Sequence, residues 1–388
     1  MAIGVDMTAD PWTFWADRTT QKFTPLGPVS VTAAKFGHVL NGFGTGSFTV
    51  SVEQKSLSRE DLLALWSWRL WVYHYGTPVW CGCPTGISDN GSATVEMTML
   101  ELPGYLQRRV LTNKLTYTQV EQTVIAAALA QPVVAVGVTV VTSPGSGVLR
   151  DREYNAFEGE SRAALLSGLC EVENGAEFRA EYTQDAAAGL PLCMLRIAYP
   201  RIGSATGLAL TMPGKAVSAA IAWDADEYRT RTYAIGDKPE GAPEAAQKPM
   251  RIADRVPGSN VPLLEAVDDW PGVVLTTTLT ERANTYANIY GTPALDVKGT
   301  VSVTDPPLWT YDVGDDVTVT IIDPLMPEGL YATARLIGRD VDCASGTVEW
   351  TLAMTQPAAR PRLTLSGRLS RLDKLTAGQY RRNVEEAP

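Results

Sequence analysis

The chain has 388 residues, 45% of them hydrophobic and 20% charged, which is apolar material for about two to four cored domains of a globular protein. A formal net charge of −10 argues against general affinity for nucleic acid, which needs clustered lysine and arginine against phosphate. Five irregularly spaced cysteines argue against a disulfide framework, and Met1–Asp10 carries acids without the apolar core of a signal peptide.

In chain order, a first module over 1–111 opens with strand-like Trp12–Trp15 and Val29–Thr32. Leu40–Gly46 is a turn-rich link into a strand whose Phe48, Val50 and Val52 share one face. Ser58, with Asp61 three residues on, starts a short helix whose buried side is Leu62, Leu63, Leu65 and Trp66. Trp66, Trp68, Trp71 and Trp80 follow closely. Trp68, Val72 and Tyr75 fall at helical spacing while Val79–Cys81 reads as strand, and the area each indole must bury points to core packing. Exposed, the same residues would form a sugar-stacking platform. Cys81 and Cys83 would share one face of a strand, too close for a CxxC redox or zinc pair, so the cysteines read as reduced packing residues. Ala93–Leu102 then alternates with period two.

A second module, 112–206, has mixed texture. Thr118 and Glu121 match a capping box. Val124 to Val141 is almost wholly apolar, but Gln131-Pro132 and Gly137 interrupt it, so it reads as a helix ending before Pro132 and a strand over Val133–Val141, with no membrane span. A second helix over Ser161–Leu169 and paired strands at Glu177–Tyr182 and Leu192–Tyr199 complete an α+β unit. The third module, 207–357, begins with strands at Ala216–Trp223 and Tyr228–Ile235. A proline-rich excursion over 238–262 follows, too broken for a regular element. Thr280–Tyr290 is a helix stopped by Gly291, with Leu279, Ala283, Tyr286, Ala287 and Tyr290 on one side. Strands at Ala294–Thr304 and Val313–Ile322 lead into a closing meander through Tyr331–Asp342 and Thr347–Leu352.

The last stretch, 358–388, changes character. Leu365, Leu369, Leu372 and Leu375 recur at spacings of four, three and three, so Leu363–Gln379 is expected to be an amphipathic helix, with Arg368, Arg371 and Lys374 on a basic face. Between Arg360 and Arg382 stand seven basic residues against one acid. A lone stripe of this kind needs a partner, and these four leucines and three cations are the candidate docking residues, toward a neighbouring subunit or another component of the assembly rather than a membrane.

Little in the chain points to catalysis. His38 and His74 are the only histidines, which excludes HExxH, and neither stands in a nucleophile-elbow context. Gly42–Gly46 lacks both the third glycine of a dinucleotide loop and the Lys-Ser/Thr of a phosphate loop. Paired carboxylates (Glu158/Glu160, Asp268/Asp269, Asp315/Asp316) leave glycoside hydrolysis as an enzyme option, although turns favour Asp regardless. The expectation is a non-enzyme without metal or cofactor.

The order of parts resembles the tail hub proteins of long-tailed bacteriophages, including the baseplate hub. In the third module the resemblance is carried by Ala216–Asp224, Arg229–Gly236, a short Ala-rich helix and Tyr311–Val319. In the first, Leu40–Val52, Trp68–Val72 and Gly104–Arg109 are similar to minor tail proteins of phages infecting actinobacteria. The resemblance implies a β-rich α+β chain with two tube-like β-barrel domains flanking an α+β domain, plus the C-terminal amphipathic helix. It implies a homotrimer at the virion tail tip, assembled in the host cytoplasm, that adapts a sixfold tube to a threefold tip. The implied partners are a distal tail or tube ring protein above, a tip or fibre protein below, a tape measure protein in the channel, and genomic DNA passing without specific binding. An acidic bore would repel DNA in transit. Some hubs carry a peptidase or lysozyme; neither is seen here, so wall cutting is expected of another protein. The alternatives are a glycan- or receptor-binding tail protein and, third, a cell-wall hydrolase.

Overall fold

The computed structural model describes residues 11–354 except 54–55, 90, 144, 146–147, 158, 171–173, 215, 239–242, 244–246, 256–260, 271–275, 292–293 and 325. These form two compact units, one of residues up to 222 with 296–354, the other of 223–295. The protein is β-rich with few helices, as expected.

The first unit opens with β1 (Trp12–Arg18), β2 (Pro25–Pro28), β3 (Val31–Val39) and β4 (Thr45–Ser51). After α1 (Arg59–Leu63) come β5 (Trp68–His74), β6 (Thr77–Asp89) and β7 (Thr94–Glu101). They pair antiparallel in the order β2-β1-β5-β6-β7-β4-β3. Ser58 caps α1 as expected, and Asp61 completes a capping box, each side chain bonding the other's backbone N–H. Where tryptophan spacing suggests helix, β5 is a strand. Every residue of β5 is buried, so both faces are apolar and period-two alternation vanishes. One face of β5 and β6 sends Trp71, Tyr73, Cys81 and Cys83 toward the helices that follow. On the opposite face Trp80 packs on Phe36 and Phe48 at ring separations of 5.7 and 5.4 Å. Its indole also covers Gly82, where a Cβ would sit 2.1 Å from the ring.

His74 ends β5 fully buried, stacked on Trp12 at 4.4 Å and flanked by Trp309 at 5.3 Å. Neither ring nitrogen has a hydrogen-bond partner among the described residues. Burial pushes its pKa from 6.5 down to about 4. The unfolded chain therefore takes up a proton below pH 6.5 that the folded chain refuses until about pH 4, and stability is lost as pH falls through that window. Relative to His74→Phe, the wild type is expected to lose about 2 kcal/mol between pH 7 and pH 5, read from urea midpoints. Equal pH profiles for the two proteins would show that the ring is not held neutral.

The middle of the chain supplies β8 (Leu115–Glu121), α2 (Gln122–Ala130), β9 (Val138–Thr142), β10 (Leu149–Tyr154), α3 (Arg162–Cys170), β11 (Glu177–Gln184) and β12 (Pro191–Ala198). β8 pairs β10, and β12 lies between antiparallel β11 and parallel β9. The Thr118–Glu121 pattern is not a capping box: it lies in β8, and α2 starts after Glu121 with no side-chain cap. The apolar run divides near the expected place, but a 3-10 turn over Gln131–Val136, closed by Gly137 at φ 84, takes the first half of the expected strand. Ile125, Leu129, Leu166, Phe178 and Leu195 share one core with Trp71, Cys81 and Cys83, so the α+β segment seats on the first sheet. The sequence boundaries at 111/112 and 206/207 fall within this unit. None of the five cysteines is in a disulfide; Cys81, Cys83, Cys170 and Cys193 are buried and Cys343 is partly exposed.

The chain continues with β13 (Ala205–Met212) and β14 (Ser218–Asp224), then, in the second unit, β15 (Arg231–Ile235), β16 (Met250–Asp254), β17 (Glu265–Asp269) and α4 (Thr276–Tyr290). β18 (Ala294–Ser302), β19 (Asp316–Asp323), β20 (Met326–Asp342) and β21 (Thr347–Met354) return it to the first unit. Their order is β14-β18-β21-β20-β19-β13. β20, 17 residues long, belongs to two ladders along one edge: β19 up to Arg335, then β3 from Gly338 onward. A bulge between Leu336 and Gly338 makes the exchange, where glycine lets the strand bend. One sheet of 13 strands thus runs through both β-modules, and among the described residues its pairing closes no barrel.

In the second unit β15 lies between β16 and β17, and α4 covers one face. Leu279, Ala283 and Ala287 pack on Ala234 and Ala253, as the α4 spacing predicts. Contrary to the expectation of no regular element, the described residues of the proline-rich excursion include β16, paired along its length with β15.

Candidate functional site

The join between β3 and β20 creates an extended polar surface on the first unit. In β3, β4, β7, β18, β20 and β21, alternate residues such as Phe36, Phe48, Met97, Val301, Val341 and Val348 point into the core. Their neighbours form the other face. One rung crosses six strands without a break, from Thr98 through Ser47, Lys35, Asp342 and Thr347 to Ser302. The next sets Gly37, Asp340, Glu349 and Thr300 side by side. A Cβ on Gly37 would meet Asp340 Oδ1 at 2.3 Å, so glycine there makes room for the carboxylate. A shallow groove of about 560 Å³ lies along these rungs.

Hydroxyls and charges alternate on this face. Lys35 Nζ reaches Asp342 at 3.0 Å and Lys298 Nζ reaches Glu349 at 2.8 Å. Burial raises the pKa of Asp340, and Glu349 directly opposite adds like-charge repulsion. At Asp342 burial acts the same way, but the Lys35 ammonium and the N–H groups of Ser345 and Ala344 outweigh it and hold the carboxyl low. Among the described side chains the face, with Glu96, carries four acids against two lysines, a surface of net negative sign.

Behind the sheet, buried ion pairs tie the segments together. Asp17 accepts from Arg69 Nε at 2.8 Å, from Arg69 Nη2 at 2.7 Å and from Trp71 Nε1 at 2.9 Å, and Arg69 Nη1 donates to the Val136 carbonyl at 2.7 Å. Burial pushes the Asp17 pKa up against these bonds; burial likewise opposes the charge on Arg69, and Asp17 more than offsets it. Glu101 receives His38 Nδ1 at 2.9 Å, Tyr182 OH at 3.0 Å and the Gly44 N–H at 2.9 Å. Asp312 is driven up by burial and more strongly down by Arg339 and Arg179, so it stays ionised below the usual carboxylate range. Arg335 donates to Glu177 and to the Ile202 carbonyl, joining β20 to the middle segment. Gly203 and Gly314 approach so closely that a Cβ on Gly203 would lie 2.3 Å from the Gly314 carbonyl, which holds the turn at Val313-Gly314-Asp315 against the middle segment.

None of these groups forms a nucleophile and base. His38 spends its second nitrogen on the Val79 carbonyl at 3.1 Å, with no serine in the contact. Asp315 accepts from the N–H groups of Ser204 and Asp312, and Asp316 pairs with Arg201 at 2.6 Å. Asp268 pairs with Arg229 at 2.6 Å, and Glu158 lies outside the described residues. Among the described residues there is no group of three metal-ligating side chains, and no helix is long and apolar enough to cross a membrane. Of the four tryptophans considered as a sugar-stacking platform, Trp68, Trp71 and Trp80 are buried and unavailable for stacking, and Trp66 is half-buried beside Tyr105 at 6.2 Å. The docking candidates Leu365, Arg368, Leu369, Arg371, Leu372, Lys374 and Leu375 lie outside the described residues. The polar face escaped sequence reasoning because each strand's alternation shows a polar side without showing which strand adjoins it.

No protein-family model matches the sequence, and no curated protein does. Solved structures do. The 43 kDa tail protein of prophage MuSo2 from Shewanella oneidensis aligns over 89% of this chain and 98% of its own, with a TM-score of 0.60 at 12% identity. A tail protein from Neisseria meningitidis MC58 aligns over 89% and 97%, with 0.56 at 14%. Prophage tail protein gp18 from Listeria monocytogenes EGD-e aligns over 94% and 99%, with 0.54 at 12%. The chain therefore shares the fold of phage tail proteins along nearly its whole described length.

Proposed function

We propose that this chain is a structural hub of a phage tail tip. Three copies would set six β-modules about one axis, matching a sixfold tube to a threefold tip, with the polar face of β3, β4, β7, β18, β20 and β21 lining the bore. The observation that carries the reading is the β3–β20 ladder, which joins two β-modules of one chain edge to edge in continuous register. Two linked modules per subunit are what doubles a threefold assembly into six. The fold shared with three prophage tail proteins supports the same role.

On this reading a ring protein of the tube binds above, a tip or fibre protein below, and the tape measure protein and then genomic DNA occupy the bore. Four acids against two lysines on the face would let DNA pass without adhering. The work done is mechanical and positional, with no reaction catalysed. Native mass spectrometry of the purified full chain is expected to give a trimer, and negative-stain images a ring with a central opening. A monomer at all concentrations, or an assembly without an opening, would overturn the proposal.

A further inference from the structure

The second unit carries a sheet face that its own helix does not cover. Thr232, Ala234 and Ala253 turn toward α4, and the intervening positions turn away from it. On that open face Tyr233 stands between Ile252 and Val267 in one cross-strand row, with Ile235 beside Met250 in the next. Ile252 is 50% exposed, Val267 61% and Met250 43%, which is a contiguous apolar patch rather than scattered residues. Asp254 and Glu265 flank Arg231 at one end, and Asp269 closes the other.

We propose that this face seats the leucine stripe of the C-terminal segment of the same chain. Leu365, Leu369, Leu372 and Leu375 lie along the strands over Tyr233, Ile252, Val267 and Met250, and Arg368, Arg371 and Lys374 meet the carboxylates of the rows at either end of that patch. The inference goes beyond the hub reading and does not depend on it.

Chain path supports the tether. β18 pairs β21 with Asp296 opposite Ala353, so the chain leaves the sheet at Met354 beside the strand by which it returns from the second unit. Residues 355–362 can span about 27 Å extended, against a radius of gyration of roughly 11 Å for a unit of this size. Dimensions agree as well. Four leucines between 365 and 375 cover about 15 Å of helix, and five-residue strands run about 17 Å. Charge agrees too, with seven basic residues against one acid between Arg360 and Arg382 facing a patch of three acids and one arginine. Tethering raises the local concentration of the stripe to the order of millimolar, so modest contact suffices.

The test uses the full chain carrying p-benzoylphenylalanine at Val267, irradiated at low micromolar concentration and mapped by mass spectrometry. Adducts within one polypeptide to peptides of 363–379 are the expected result. Adducts to any other segment, cross-linked dimers, or a yield no higher than with the probe at Leu63, which is 59% exposed in the first unit, would each overturn the proposal. A second measurement is hydrogen exchange. Amides of 363–379 are expected to lose protection at least tenfold in Val267→Asp, with far-UV circular dichroism otherwise unchanged. Equal exchange in the two proteins would overturn the proposal independently.

Discussion

Asp17→Ala is expected to lower the unfolding free energy by about 3–5 kcal/mol, because it strands a buried guanidinium that nothing else neutralises. Arg69 is 3% exposed and sits between the first sheet and the turn before β9, where its remaining bond goes to the Val136 carbonyl. Two of its nitrogens lose carboxylate oxygens in the variant, and Trp71 loses the acceptor of its indole N–H. Arginine does not escape the cost by giving up its proton. The pair Asp17→Leu with Arg69→Met should recover most of the loss, since apolar residues of similar volume replace a buried ion pair at little cost. Urea titration at pH 7 gives both numbers. A loss below about 1 kcal/mol for Asp17→Ala would mean that water reaches Arg69.

Trp80→Ala is expected to cost a similar 3–5 kcal/mol, by a different route. The indole fills the space among Phe36, Phe48 and Gly82, and its N–H donates to the Gly37 carbonyl at 3.1 Å. Gly82 has no side chain that could move into the vacancy. Trp309→Ala, at an indole 45% exposed, is the control and should change stability by far less. If Trp80→Ala folded with undiminished stability, the packing described for the first sheet would be wrong. Any loss of polysaccharide binding in Trp71→Ala or Trp80→Ala would report unfolding, since neither ring is accessible in the folded chain.

Much of the local structure was legible. Ser58 and Asp61 predict a helix start because nothing competes for them, whereas Thr118 and Glu121 carry the same signal and lose it to pairing. Val120 stands opposite Arg150 and Tyr117 opposite Arg152, with Gln119 at φ 54 in the irregular step between. Tertiary pairing there outweighs a cap worth about 1 kcal/mol. β5 was illegible because burial on both faces erases the period that distinguishes strand from helix. β16 was hidden among prolines, yet Pro249 stands just before it, where no ladder bond is lost. The parallel step from β9 to β12 and the ladder from β3 to β20 leave no local trace, since partners about 55 and 300 residues apart are chosen by fit rather than by neighbours in sequence. The candidate polar face depends on the second of these.

That same ladder determines how the chain would carry a load. β3 and β20 run antiparallel over five consecutive pairs, Gly338 with Val39 through Asp342 with Lys35. Tension applied along the strands would strain all of those rungs at once in shear, while tension across them would peel the rungs one after another. The seam therefore resists rupture along its strands more than across them.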